Sequence, residues 1–330
     1  MQYDGAETMN RKAGTMQHDE ALSQLLQKYQ LTAADYLGRG MEALVYRAGA
    51  SDVLKVYRQP VDMAYLHRLQ RWYAAIDRRS VPFALPEIMH IVAEDAYVVV
   101  RERLLPGKTL QSALPTLPAE QLPEVMAHYY ATVMQVAHIT GGIDTTRCLQ
   151  LSDPAWQAGL TDWHAFWRAR LHDALTQSGA QPFLARDVPQ WDALVRYLQA
   201  QLQVPYTGAY GLVHGDFYPG NVLVDADMRI CAVLDFSAQT LWGDPLYDVA
   251  TSWVWFDMYD ELERDLRTHY QAMLRERIGA DALQRCELYV ALYSVISANH
   301  FDATCQDGHY QWCVANLRAF GAQVVSTTTK

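Results

Sequence analysis

The sequence predicts an α+β chain of two unequal lobes, a small β-rich one followed by a larger, mainly helical one. Three observations carry that prediction. Between Tyr36 and Arg101, short β-branched and aromatic runs alternate with tight turns. The segment Leu104-Leu105-Pro106-Gly107 then breaks the pattern as a linker. Beyond it, apolar residues recur mostly at helical spacing. At 330 residues and 37.5 kDa, the chain is long enough for two cores that share a cleft.

Taken in order, residues 1–20 are polar and aperiodic and read as a mobile tail. Residues 21–103 form the first lobe, 104–107 the hinge and 108–330 the second lobe. Ala21 to Tyr29 is expected to be a short helix, followed by a three-strand meander through Tyr36-Leu37, Ala43 to Arg47 and Val53 to Tyr57. Val61 to Ile76 places Met63, Leu66, Leu69, Trp72 and Tyr73 on one helical face, and strands follow near 87–92 and 96–101. In the second lobe, helices are expected over Glu120 to Ile139, Trp156 to Leu175 and Trp191 to Leu202. A β-hairpin lies between Leu212 and Asp235. The closing helices are Asp248 to Phe256, Glu261 to Arg277, Asp281 to Phe301 and His309 to Ala322. No internal repeat or low-complexity run interrupts this order.

The composition narrows the function. Half the residues are hydrophobic, 19% are charged and the formal net charge is −10. That balance argues against nucleic-acid backbone or an anionic membrane as the main partner, since both demand concentrated Lys and Arg. It suits a small-molecule partner, including a cationic one. Five scattered cysteines without a CxxC pair point to reduced thiols. The charged first 20 residues do not read as a signal peptide, and no apolar run reaches membrane-spanning length, so a cytoplasmic protein is expected.

Two constellations bear chemistry. In the first, Gly38-Arg39-Gly40 precedes Ala43-Leu44-Val45, and Lys55 stands in the next strand. Glycines let backbone N–H groups approach phosphates, and a strand lysine adds positive charge. A plain hairpin turn and a water-facing edge lysine satisfy the same residues. In the second, Asp216 and Asn221 lie five residues apart in one loop and Asp235 ends the second strand of the hairpin. Hard oxygen donors so placed suit Mg2+ shared with substrate phosphates, while one carboxylate of the group is free to accept a hydroxyl proton. Ordinary Asx turns are the structural alternative.

The strings HGDFYPGNVLVD, LDFS and GDPLYDVA, with the upstream GxGxxA and strand lysine, resemble the aminoglycoside phosphotransferase and choline kinase group of small-molecule kinases, relatives of the protein kinases. The resemblance runs from about Leu37 to Ala250. It implies a bilobal protein-kinase-like fold and ATP- and Mg2+-dependent transfer of the γ-phosphoryl group to a small-molecule hydroxyl. By the same resemblance Asp216 is the base, Asn221 and Asp235 hold magnesium, and Lys55 meets the α- and β-phosphates. Gly38 and Gly40 cover ATP and Val45 packs on adenine. The stretch Arg101 to Leu104, with Arg103, meets the polar edge of the base. His214 is expected to hold the loop through backbone bonds, and Asp244 and Asp248 to brace it as caps, with Asp244 at a helix N-terminus before Pro245.

Some features depart from the pattern. Val61 to Asp77, where a glutamate would pair with Lys55, contains none, leaving Asp62, His67, Gln70, Asp77 or the phosphates themselves as partners. Ala43 replaces a third glycine, and Ser237 follows Asp235-Phe236. The missing glutamate is the one sequence feature favouring a nucleotide-binding module without turnover. Transfer to a protein side chain is disfavoured, since seven residues between Asp235 and Gly243 leave no room for an activation segment. Acceptor recognition is expected from 150–205 and the C-terminal helices. Trp253, Trp255, Phe256, Asp257, Tyr259, Asp260, Glu261, Glu263 and Asp265 would bind an amine, or fill a core with the acids in water. Asp162 to Trp167 reads as packing.

Overall fold

The computed structural model of the chain describes residues 20–40, 43–141, 162–258 and 265–328. Its first lobe begins with helix α1 (Glu20–Lys28). A five-stranded antiparallel sheet follows, built of β1 (Tyr36–Arg39), β2 (Ala43–Ala48), β3 (Asp52–Arg58), β4 (Ile88–Glu94) and β5 (Tyr97–Arg103), in the order β1-β2-β3-β5-β4. Helix α2 (Met63–Ala75) joins β3 to β4.

Alternation along the strands sorts the lobe's apolar residues onto two faces. Leu54, Val56, Tyr97 and Val99 turn to one side, where Leu25 of α1 and Leu31 cover them. Val98 and Val100 turn to the other and meet Leu66, Leu69, Trp72 and Tyr73 of α2. That second cluster continues without a break into the helical lobe, so the core of the larger lobe also anchors α2. Asp62 caps α2 by accepting the Tyr65 N–H at 2.9 Å.

The second lobe begins with β6 (Lys108–Thr109), α3 (Leu110–Ala113) and α4 (Leu122–Val136). Next come α5 (Trp163–Thr176), α6 (Gln181–Asp187), which the sequence reading did not separate from its surroundings, and α7 (Trp191–Gln203). Four short strands interrupt the helices: β7 (Gly211–Val213), β8 (Val222–Val224), β9 (Ile230–Val233) and β10 (Leu241–Gly243). β8 and β9 form the expected hairpin with β6 at its edge, and β7 pairs with β10. The chain closes with α8 (Leu246–Trp255), α9 (Leu266–Ser297) and α10 (Gly308–Thr328). The two helices expected across 261–301 run almost end to end as α9, broken at Gly279, whose φ of 77° and ψ of 175° are not helical.

A second connection ties the lobes together beside the linker. Ala84, in the loop after α2, forms a parallel bridge with Ala232 of β9; the Ala84 N–H donates to the Cys231 carbonyl at 2.8 Å and the Val233 N–H to that of Ala84 at 3.1 Å. Among the described residues no helix is long and apolar enough to cross a membrane.

Around α5 the aromatic residues are packing elements, as the sequence implies. Trp163 is fully enclosed, stacks on Phe166 with ring centroids 5.5 Å apart, and donates its indole N–H to the Tyr289 hydroxyl at 2.9 Å. Asp162 caps α5 through the Ala165 N–H and accepts the Tyr206 N–H. Truncating Trp163→Ala is expected to cost about 3–5 kcal/mol of stability, read as a lowered urea midpoint.

Candidate active site

The loop after β7 is shaped by a glycine and a buried acid. Gly215 has φ +84°, and a Cβ there would strike the Gln239 backbone carbonyl, so any other residue would push the loop away. Asp248, in the first turn of α8 and 1% exposed, accepts the His214 N–H at 2.5 Å and the Gly215 N–H at 2.9 Å. Burial pushes its carboxyl up to about 7, against the lowering effect of those two N–H groups. Asp244 supports the same region from the α8 N-terminus. It accepts the Leu246 N–H at 3.0 Å, the Tyr289 hydroxyl at 2.7 Å and Arg285 at 3.1 Å, and Pro245 already has helical dihedrals. Asp248 therefore holds the loop from inside the helix and not as its cap, while Asp244 ties the helix N-terminus to Tyr289 and Arg285 of α9.

His214 is a strut. Its Nδ1 accepts the Asp216 N–H at 3.2 Å, which assigns the ring proton to Nε2, and Nε2 donates to the Leu234 carbonyl at 2.7 Å. Burial lowers its pKa to about 4, so the ring is neutral near pH 7. The imidazole thus links the Asp216 loop to the segment carrying Asp235.

Asp216 is half-buried at the loop tip. The Asn221 amide donates to its carbonyl at 3.0 Å and its carboxylate at 3.3 Å, leaving the Asn221 oxygen as that side chain's acceptor. Burial, and next the negative charge of Asp235, raise the Asp216 carboxyl to about 6 despite the Asn221 bond. Asp235 lies two residues beyond β9, not at its end, with φ +61°. This strained conformation aims a 54%-exposed carboxylate at the other lobe. Phe236 anchors the segment: its ring packs on His214, Trp72 and Tyr73, and its carbonyl accepts the Tyr73 hydroxyl at 3.2 Å.

Across the cleft, Lys55 sits in β3 directly opposite Val45 of β2, and Val45 is opposite Gly38. The Lys55 ammonium reaches Asp235 at 3.0 Å, bridging 180 residues of sequence. Its second partner is one the sequence reading missed. Glu102 of β5 stands 3.3 Å from Nζ and is 7% exposed. Burial works to lower the lysine pKa, but Asp235 and Glu102 outweigh it and hold the group well above its ordinary value. Asp235 is correspondingly lowered, chiefly by Lys55.

None of the partners considered from the sequence takes that place. Asp62 caps α2, Gln70 donates to the carbonyls of Ile88 and Met89, Asp77 pairs with Arg79, and His67 is exposed. The carboxylate comes from the sheet because Val53 pairs with Glu102 and Lys55 with Val100, which puts Lys55 and Glu102 on one face as diagonal neighbours. The same alternation displaces Arg103. It falls on the opposite face and ion-pairs with Glu87 at 2.9 Å, so its side chain is not part of the cleft. Gly38 has open space where a side chain would stand, and the loop tip at 41–42 lies outside the described residues.

Beside the Asp216 loop, the aromatic-acidic segment divides. Trp253 is core, Asp257 ion-pairs with Arg267 and accepts the Trp312 indole N–H, and Asp265 caps α9. Trp255 instead lies in a half-buried row with Tyr218 and Tyr293, ring centroids 5.9 and 5.8 Å apart. Tyr259, Asp260, Glu261 and Glu263 lie outside the described residues. As for a metal, no group of three or more His, Cys, Asp or Glu side chains among the described residues would hold an ion by itself. Asn221 and Asp235 nonetheless offer hard oxygens of the kind Mg2+ takes when phosphates complete its shell, so the residues fit.

Comparisons with known proteins bear on the fold and the family. Several solved structures share the fold over nearly their whole length. The GDP complex of wild-type aminoglycoside 2′-phosphotransferase-IIIa has 15% sequence identity and a TM-score of 0.57, covering 93% of this chain and 99% of that one. The ADP-bound aminoglycoside phosphotransferase APH(2″)-Ib has 17% identity and a TM-score of 0.54, covering 92% and 97%. The streptomycin–ATP–APH(2″)-IIa ternary complex has 16% identity and a TM-score of 0.52, covering 92% and 96%. These likenesses establish the bilobal, protein-kinase-like fold. No curated protein matches the sequence. The model of the phosphotransferase enzyme family matches residues 35–289, from the start of the sheet into α9, and with most of its length so matched the chain belongs to that family.

Proposed function

We propose that this phosphotransferase uses ATP and Mg2+ to transfer the γ-phosphoryl group to a hydroxyl of a small molecule. The observation that carries the proposal is the convergence of Asp216, Asn221 and Asp235 beneath a sheet lysine that reaches Asp235 directly. In-line phosphoryl transfer needs little covalent help from a protein. It needs the phosphates held, their charge neutralised and the incoming hydroxyl aligned. Lys55 supplies fixed positive charge, and Val45 and Gly38 line the same sheet face for the nucleotide. Asn221 and Asp235 would hold Mg2+, whose contribution is to neutralise charge on the phosphates. Asp216 accepts the hydroxyl proton, and its carboxyl, raised to about 6, is a better base than an ordinary aspartate while remaining ionised at pH 7.

For the acceptor, the half-buried row Tyr218, Trp255 and Tyr293 supports a molecule with an apolar or cationic face, in the range from amino alcohols to aminoglycoside-like compounds. The feature that favoured a binding module without turnover loses its force, because Lys55 has a carboxylate partner in Glu102.

Asp216→Asn is expected to lower kcat by about 10²–10⁴-fold while Mg·ATP still binds. An unchanged kcat in steady-state ADP release on a panel of hydroxyl acceptors would refute the assignment of the base. The same variant should melt at a higher temperature near pH 7. A raised folded-state pKa contributes stability at pH below the unfolded value of 3.8, and that contribution is lost as pH rises through about 6, so the neutral amide removes a cost present at pH 7. In the wild-type protein, kcat/KM should fall about tenfold per pH unit below about 6 and level off above it, as a pH–rate profile would reveal.

A further inference from the structure

Lys55 is held from two sides, and in the reading above one of those sides is needed elsewhere. Asp235 would turn its carboxylate to the metal as nucleotide enters, whereas Glu102 has no other assignment in the cleft. We propose that Glu102 is the positioning residue for Lys55, aiming the ammonium at the nucleotide phosphates from strand β5 in place of a helix carboxylate. This rests on the phosphotransfer reading and adds to it a residue that the motifs do not mark.

Three observations support the assignment. The Glu102 carboxylate reaches Nζ at 3.3 Å from the neighbouring strand, in a β3–β5 ladder that runs from Asp52↔Arg103 to Arg58↔Tyr97 without a register shift. Glu102 is enclosed, and an enclosed carboxylate persists in a sheet only where a counter-charge meets it; Lys55 does. Helix α2 meanwhile has a different task. Asp62, Gln70 and Asp77 are committed elsewhere, and the helix reaches the cleft through the Tyr73 hydroxyl, which holds the Phe236 carbonyl at 3.2 Å. The helix therefore steadies the segment bearing Asp235, and the strand steadies the lysine.

An acyl-phosphate derivative of ATP with Mg2+ tests the assignment, because it delivers an electrophile to whichever lysine reaches the phosphates. Acylation of Lys55 is measured by mass spectrometry at saturating probe for the wild-type protein, Glu102→Gln and Glu102→Met, with calorimetric melting as the check on folding. Glu102→Met keeps the side-chain length and removes the buried charge, so at least one folded variant is expected. With rates followed along a pH series, so that a gain in free amine is separated from placement, both variants should acylate Lys55 about tenfold more slowly or worse at an equal fraction of free amine. Glu102→Asp, one methylene shorter, should not restore the wild-type rate. Wild-type labelling rates in folded Glu102 variants would overturn this inference alone, and a loss of folding in both variants would overturn it in favour of a structural role. A wild-type protein that Mg2+ and the probe leave unlabelled at Lys55 would overturn the nucleotide-site reading and this inference with it.

Discussion

Asp248 has both oxygens committed to two consecutive backbone N–H groups, at the point where the chain turns sharply through Gly215. The geometry of the cleft depends on that grip. It fixes His214, whose ring is bonded at one nitrogen to Asp216 and at the other to Leu234, so the Asp216 loop and the segment carrying Asp235 share one support. Asp235 in turn reaches Lys55, and Lys55 reaches Glu102. A run of contacts therefore passes from the core of the helical lobe to the middle of the sheet. Replacing Asp248 with an apolar residue would leave two enclosed N–H groups without acceptors, at about 1–3 kcal/mol each.

Much of the second constellation was legible because it is local. Asp216, Asn221 and Asp235 are separated by a loop and one short hairpin, and such spacings survive translation into three dimensions. Glu102 was not, since its meaning depends on a diagonal across two strands whose register cannot be read from either strand alone. Arg103 follows the same rule: one residue on from Glu102, its side chain lies on the opposite face and pairs with Glu87. A signal did exist. Within Tyr97 to Arg103, Glu102 shares its face with Val98 and Val100, and a carboxylate on an apolar face requires a partner.

The second lobe taught a similar lesson at a larger scale. Helical periodicity located most of its helices, but it did not resolve α6, a helix of seven residues, and it could not show that the two helices around Gly279 lie almost end to end. It also could not assign the aromatic residues. Trp253 and Trp255 are two positions apart on α8, yet one fills the core while the other borders Tyr218, two residues from Asp216.

The bridge between Ala84 and Ala232 has a mechanical consequence. It is one of several ties between the lobes: the Asp77 N–H donates to the Thr140 carbonyl, the Tyr73 hydroxyl donates to the Phe236 carbonyl, and the core under α2 runs on into the helical lobe. The α2 side of the sheet is thereby fastened to the helical lobe, while the Gly38–Gly40 edge stands at the other end of the strand order, farthest along the sheet from those ties.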